Sequence, residues 1–457
     1  MSDTKRAIVT WERIDPSSAD LVLQPEGNLR TGIEDFSTFF PNPTSLEQDI
    51  LVVASAIYAC DLAFKRGERE NITRSIEVTI PVVNIQAFER LKPQLQVLLW
   101  ILSHDAWTFT FKRNKGAPEQ AEDWPQADGK TILFSGGLDS FAGAVDLLDD
   151  LGTSRVQLSS HVTANRQTRD SQNHLAGYLV EKYGGTLKRV VVRTGGHSVT
   201  DLPFPPYNER EETQRTRSFM FLSVAALAAR RSGQSEIVMI AENGQMAIHL
   251  PLSAARMGAF STHTAHPEFV HRVGEYFTEL LDFPVRVTNP YLYSTKGEVV
   301  KKVVSKYRDA VPLSVSCWMV SWMSPEHSHC GVCIPCLTRR ISLEFNGLYL
   351  KEYKRDLLTE NIAGLPPEDD GKRNLVELVE FAYLFKTLRD SELEYTYPEL
   401  INAQIDKAKA ISMYRRLADE IEVVLRNYPN AAKLMLPAAT NSTPPAATKK
   451  ATSRKKR

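Results

Sequence analysis

Residues 130–148, KTILFSGGLDSFAGAVDLL, break an apolar run into Ser135-Gly136-Gly137-Leu138-Asp139-Ser140 before an apolar helical pattern resumes. Adjacent glycines at a strand-to-helix turn let backbone amides approach an anion closely, because no Cβ intervenes. A helix starting near Asp139 adds the positive end of its dipole and free N–H groups. Ser135 and Ser140 can donate hydroxyl hydrogen bonds to phosphate oxygens, and Asp139 can cap the helix or help hold Mg2+. The loop lacks the Gly-Lys-Ser/Thr ending of the common NTPase loop and the Gly-x-Gly-x-x-Gly spacing of dinucleotide sites. Two glycines alone would suit any tight turn; the whole string, between an apolar strand and an amphipathic helix, points to a phosphate-binding loop.

A second group lies downstream. The stretch SCWMVSWMSPEHSHCGVCIPC places Cys317, Cys330, Cys333 and Cys336 within twenty residues. Four thiolates at such spacings can close a tetrahedral Zn2+ site with no open position for catalysis. The tight Cys330, Cys333 and Cys336 run could instead hold three corners of an iron–sulfur cluster. His327 and His329 are spare ligands or surface residues of the intervening loop. The fifth cysteine, Cys60, sits in a helical pattern as a small buried hydrophobe.

The elements that must position these residues follow from periodicity. From residue 131, short apolar strands (TILF, RVQLSSHV, RVVVRT, EIVMIA, VRVTN) alternate with helical stretches near 140–151, 171–184, 213–232 and 267–282. This alternation predicts a doubly wound, mainly parallel α/β sheet, which binds ligands beyond the carboxyl ends of its strands. The first 125 residues predict a separate α/β extension. It comprises a helix over 44–64 capped by Thr44 or Ser45, a strand SIEVTIPV, a helix over 84–102 and a strand WTFTFKR. The polar 114–130 has the makeup of a linker. Residues 373–389 and 397–427 predict amphipathic helices that supply packing. The expected organisation is therefore 1–125, 126–310, a cysteine segment 311–345, a helical region 346–435 and a tail 436–457.

Composition bounds the partners. The 457 residues are 42% apolar and 24% charged, typical of a soluble globular protein of two or three domains. No run approaches a membrane span, and the start MSDTKRAIVTWERIDP lacks the apolar core of a secretory signal, so a cytoplasmic location is expected. The tail holds six basic and no acidic residues, leaving 49 basic against 55 acidic side chains in the body. That tail composition cannot bury a core and predicts disorder. The mildly acidic body argues against a broad nucleic-acid-binding face.

The Ser135–Ser140 string resembles the PP-loop of ATP pyrophosphatases, which cut ATP between its α and β phosphates. Joined to the cysteine group, it resembles the 7-cyano-7-deazaguanine synthases, the QueC family, over roughly residues 130–345. RTRSFMFLSVAALAA (215–229) is similar to the family's Arg-Asn-x-x-x-Leu-Ser helix, with Arg217 matching its Arg and Ser218 replacing its Asn. MIAENG resembles a strand ending in Gly-x-Asn, with Asn243 kept and Ala241 in the glycine's place. TNPYLYSTKGEVV is similar to the family's Pro-Leu…Thr-Lys-x-Glu-Ile stretch, where Thr295 and Glu298 also form a capping box. The family's nucleobase segment, Ser-Gly-Tyr-Pro-Asp-Cys-Arg, is replaced by QMAIHLPLSAARMGAFSTHTAHPEF. The gap between the first two cysteines is longer, and both terminal regions are additional. This enlarged layout resembles the QatC type of bacterial antiphage defence clusters.

The resemblance implies an enzyme that binds ATP, Mg2+ and Zn2+ and adenylates the carboxylate of a 7-carboxy-7-deazaguanine-like molecule, releasing pyrophosphate. An amine then displaces AMP. In the synthases the amine is ammonia and a second ATP dehydrates the amide to a nitrile; here the altered segment points to a changed acceptor, such as the N-terminus of a protein encoded in the same cluster. Ser135, Gly136, Gly137, Leu138, Asp139 and Ser140 would cradle the phosphates. Arg217 and Lys296 would contact phosphates or the carboxylate, and Asn243 would face adenine or substrate. The synthases form homodimers. A PP-loop tRNA thiolase is a competing reading, disfavoured by the acidic body and by the distance of the cysteines from the loop.

Overall fold

The computed structural model describes residues 4–67, 73–119, 124, 126–162, 165–185, 187–238, 242–253, 263–319, 323 and 326–435. Residues 239–241, the middle of the altered segment (254–262) and the basic tail 436–457 lie outside them. No helix among the described residues is long and apolar enough to cross a membrane.

The N-terminal part contains β1 (Lys5–Val9), β2 (Leu21–Leu23), β3 (Leu29–Arg30), α1 (Ile33–Phe39), α2 (Ser45–Ala63), β4 (Ser75–Val82), α3 (Ile85–Ser103) and β5 (Ala106–Arg113). Four strands form an all-parallel sheet in the order β2-β1-β4-β5. Helix α2 is apolar around most of its circumference, the pattern of a helix buried on all sides, and 17 of its 19 residues are buried. Thr44 caps it, with Glu47 completing a capping box. Cys60 is fully buried within it, and burial raises its thiol pKa.

The second part contains β6 (Lys130–Leu133), α4 (Leu138–Leu151), β7 (Val156–His161), α5 (Arg166–Tyr183), β8 (Lys188–Val192), β9 (Gly195–Gly196), α6 (Arg217–Arg231), β10 (Glu236–Val238), α7 (Gly244–Ile248), α8 (Pro267–Leu281), β11 (Arg286–Thr288) and α9 (Lys296–Lys306). Its five strands are parallel, in the order β11-β10-β6-β7-β8. The chain winds outward from β6 to β8, returns through α6, and lays β10 on the other side of β6. The expected parallel α/β sheet is present, and β6 and β10 flank its switch point, where loops diverge and leave a crevice. Helix α5 starts five residues earlier than periodicity suggests, because the Asn165 side chain accepts the Thr168 amide (2.9 Å) and caps it there.

The two sheets share one apolar core. Helix α2 packs between the first sheet and α6 of the second, and α3 packs on α8. The segment 114–130 is tied into this junction where it is described. Ala127 donates its amide to Gly233 O (2.7 Å), and the Trp124 ring lies 4.2 Å from the Arg230 guanidinium.

The C-terminal part contains α10 (Ile334–Phe345), α11 (Asp370–Thr387), α12 (Asp390–Thr396), α13 (Lys407–Leu425) and α14 (Pro429–Ala432). These helices bury their apolar faces in a separate core, around Leu378, Phe381, Phe385 and Tyr414. Helix α13 also contacts α7 and α9, so this part abuts the elements that follow β10 and β11.

Candidate functional site

After β6 the chain turns through Ser135, Gly136 and Gly137 into α4. Gly136 adopts φ +82°, and a Cβ there would lie 2.9 Å from the Gln172 backbone nitrogen, so only glycine fits without displacement. Neighbours hold the loop by its carbonyls. Gln172 Nε2 donates to Ser135 O (3.2 Å), while Val315 N and Ser171 Oγ donate to Gly136 O (3.2 and 2.7 Å). Ser135 Oγ accepts the Gly137 amide (3.2 Å) and lies 3.1 Å from Ser140 Oγ, which donates to Gly137 O (3.0 Å). No side chain caps α4 at Gly137, so its first turn presents amides and a positive dipole end toward the crevice. Ser135 is exposed, whereas Leu138 is buried under α4.

Three of the sequence candidates meet beside this loop. Asp139, buried in the first turn of α4, takes Lys296 Nζ on Oδ1 (2.7 Å) and Asn243 Nδ2 on Oδ2 (3.1 Å). Asn243 is itself the N-cap of α7, its Oδ1 accepting the Met246 amide (3.4 Å). Lys296 opens α9 directly after the Thr295–Glu298 capping box. From α13, Glu420 accepts a hydrogen bond from Thr295 Oγ1, and burial raises its carboxyl pKa to about 7. Loops after β6, β10 and β11 thus deliver one residue each to a single buried cluster. Both Asp139 oxygens are engaged by protein donors.

Arg217, the first residue of α6, stands at the edge of this cluster. Its guanidinium lies over the Phe221 ring (5.6 Å) and makes no hydrogen bond or ion pair among the described residues. Its neighbour Thr216 is fixed by the N-terminal part, donating its amide and hydroxyl to Asp61 Oδ2 (2.8 and 3.1 Å). The same carboxylate pairs with Arg74 (2.5 Å) in a buried network that includes Arg66 and Asp105. Next to Arg217, His161 at the end of β7 is buried against Tyr58 and Phe221. Its Nε2 lies 3.2 Å from Thr194 Oγ1, and burial together with Arg217 lowers its pKa to about 3.

The sequence reading passed over Glu242. It precedes Asn243, and its side chain meets the Thr264 hydroxyl and the charges of Asp139, Lys296 and Arg217; burial and the Asp139 carboxylate raise its pKa to about 7. An acidic residue immediately before the strand-end asparagine was the available signal.

The four cysteines converge as expected. Their Sγ atoms lie within 4.8 Å of one another, and Cys330 Sγ is 3.7 Å from Cys336 Sγ. A tetrahedron with metal–sulfur bonds of about 2.3 Å has edges of about 3.8 Å, so the group fits one metal ion such as zinc. A four-iron cluster would set its thiolates farther apart, since each binds a different iron. The amides of Met319 and Cys330 point at Cys317 Sγ (3.3 and 3.4 Å), and those of Val332 and Cys333 at Cys330 Sγ (both 3.4 Å). His329 is a correction to the surface reading: it is fully buried, and its Nε2 accepts the Ser316 amide (3.1 Å) instead of joining the sulfurs. The metal site is next to the loop but outside the crevice, with segment 313–317 running between them.

The crevice therefore offers an anion cradle at a helix N-terminus, two cations, and two carboxylates in different surroundings. No protein-family model matches the chain, and no curated protein matches it.

Proposed function

We propose that this chain is a QueC-like PP-loop enzyme that adenylates the carboxylate of a 7-deazaguanine at the expense of ATP, releases pyrophosphate and passes the acyl group to an amine. The observation that carries this reading is the convergence of Asp139, Asn243 and Lys296 beside the Ser135–Ser140 loop at the switch point of a parallel sheet. The first-turn amides of α4 and the Ser135 and Ser140 hydroxyls hold the pyrophosphate as charge develops on it. Lys296, oriented by Asp139, and Arg217 neutralise the α-phosphate and the attacking carboxylate. ATP binds as substrate, with Mg2+ carried by its phosphates. A zinc ion on Cys317, Cys330, Cys333 and Cys336 supplies a structural crosslink. The acceptor is an amine on a partner protein, in the setting of an antiphage defence cluster.

The test is incubation with ATP, 7-carboxy-7-deazaguanine and the proteins encoded beside this chain, followed by pyrophosphate assay and intact-mass measurement. Pyrophosphate release together with a deazaguanine-sized mass gain on one neighbour is the expected result. Free nitrile with no mass gain would favour the synthase reaction, and no pyrophosphate would remove the adenylation reading altogether.

A further inference from the structure

Glycine loses more conformational freedom on helix formation than any other residue, yet Gly297 stands in the first turn of α9, directly after Lys296. The C-terminal part explains it. A Cβ at Gly297 would lie 2.5–2.7 Å from the carboxyl group of Glu420 on α13, a buried side chain. Thr295 donates its hydroxyl to Glu420 Oε1, and the Gly297 amide faces the same group. Helix α13 also grips the other half of this cap. Glu298, which closes the capping box with Thr295, takes Arg416 Nε on Oε1 (2.6 Å), and Arg416 Nη2 donates to Tyr293 O (2.8 Å). Arg416 and Glu420 lie on one face of α13 with Met413. A Cβ at Gly244 would lie 3.0 Å from Met413 Cε, and Tyr414 donates its hydroxyl to Gln245 O (3.4 Å), both in the turn that Asn243 caps. One helix therefore braces the two turns that bring Lys296 and Asn243 to Asp139.

We infer that Glu420 is a positioning residue, seating the first turn of α9 so that the Lys296 ammonium is held at the crevice, and that adenylation thereby depends on the C-terminal helices. The inference rests on the adenylation reading. Glu420 acts through Thr295 and Gly297, not on the substrate. Lys296 lies between these two residues, so a shift of the turn is a shift of the ammonium relative to Asp139 and to the reacting phosphate. Misplacing a reacting group by about 1 Å can cost about 100-fold in rate. In this reading the glycine loop between β6 and α4 still holds the ATP phosphates when α9 shifts. Loss of the Glu420 contacts should therefore appear in kcat and leave the KM for ATP nearly unchanged, the signature of an interaction made in the transition state.

The experiment measures ATP–pyrophosphate exchange with 7-carboxy-7-deazaguanine, together with thermal unfolding, in the full chain. Wild type is compared with Glu420→Ala, Glu420→Gln, Gly297→Ala and the Glu420→Ala/Gly297→Ala double variant. Glu420→Ala is expected to lower the kcat of exchange about 10–100-fold. Glu420→Gln keeps the shape and an acceptor for Thr295, and should recover most of that loss. Gly297→Ala displaces the end of a flexible side chain and should lower kcat as Glu420→Ala does. In the double variant the crowding is gone and alanine is the better helix former. Its kcat should fall no further than in Glu420→Ala, and it should melt at a higher temperature than that variant. Wild-type kcat in Glu420→Ala, a raised KM with kcat unchanged, or losses that multiply in the double variant would overturn the inference. Should Glu420→Ala fail to fold, Gly297→Ala decides the matter, and a wild-type kcat there would overturn the inference. No exchange in the wild type would instead overturn the adenylation reading, and the role of Glu420 with it.

Discussion

Val315 donates its amide to the carbonyl of Gly136 (3.2 Å), two residues before the metal-site cysteine Cys317. The glycine loop is thereby connected to the thiolate group through three residues of chain, 315–317. The same segment is braced on its other side, where Ser316 N donates to the buried His329, and Arg339 Nη1 donates to Ser314 Oγ (2.8 Å). A metal ion held by Cys317 would therefore be linked to the loop through ordinary hydrogen bonds, each contributing about 1 kcal/mol.

Metal removal is accordingly expected to weaken nucleotide binding although no cysteine lines the crevice. One zinc per chain should be found by elemental analysis. Cys317→Ser should lose it and lower ATP–pyrophosphate exchange by about 10–100-fold, the range seen when the support around a bound group is removed. Full exchange by a zinc-free chain would break the proposed coupling.

The Lys296–Asp139 pair predicts a non-additive double mutant. Both side chains are over 90% buried, so Lys296→Met leaves an uncompensated carboxylate and should cost about 3–5 kcal/mol in urea unfolding. Asp139→Asn/Lys296→Met removes both charges and should recover much of that loss while remaining inactive in exchange. Equal instability of the single and double variants would show that the two charges do not compensate one another in the fold.

How far the site could be read in the sequence depends on the range of its interactions. The loop, the Thr295–Glu298 box and the four cysteines are local patterns, and each was legible because its physics lies within a few residues. Glu242 was not, since its only local signal is its place before Asn243, and the charges around it come from α4, α6 and α9. Asp61 is similar: within an apolar helix it looks like a stray polar residue, and only the fold shows it holding Thr216 and Arg74. His329 looked like a surface loop residue because its partner, the Ser316 amide, belongs to a segment thirteen residues away. The sharing of one core by both sheets escaped because the polar 114–130 gives no sign of the Trp124–Arg230 contact.

Gly136 and Gly152 offer a matched pair for testing the loop. Both have positive φ, +82° and +73°, but a Cβ at Gly136 meets the Gln172 backbone whereas one at Gly152 meets nothing within 4 Å. Gly152→Ala should cost only the strain of a backbone conformation (φ +73°, ψ +171°) that glycine alone visits readily, about 1–3 kcal/mol, and leave exchange intact. Gly136→Ala should cost more in thermal unfolding and abolish exchange, because Gln172 must move and take the loop carbonyl of Ser135 with it. Similar behaviour of the two variants would mean that the close approach to Gln172 is not what shapes the cradle.

His161 predicts a specific acid sensitivity. It faces Tyr58, Phe221, Thr194 and the cationic Arg193 and Arg217, and burial and Arg217 lower its pKa from 6.5 to about 3. The native ring stays neutral while the unfolded chain gains a proton below pH 6.5, so unfolding binds more protons and stability falls as pH falls between about 6.5 and 3. One proton gives a slope of about 1.4 kcal/mol per pH unit. His161→Gln removes this slope and should be less stable than wild type at pH 7.5, where the ring's contacts with Thr194, Tyr58 and Phe221 are lost. The difference should shrink as denaturation is followed down to pH 5. A difference that stays constant across this range would show that His161 is protonated in the folded chain and that the Tyr58–Phe221 pocket admits its charge.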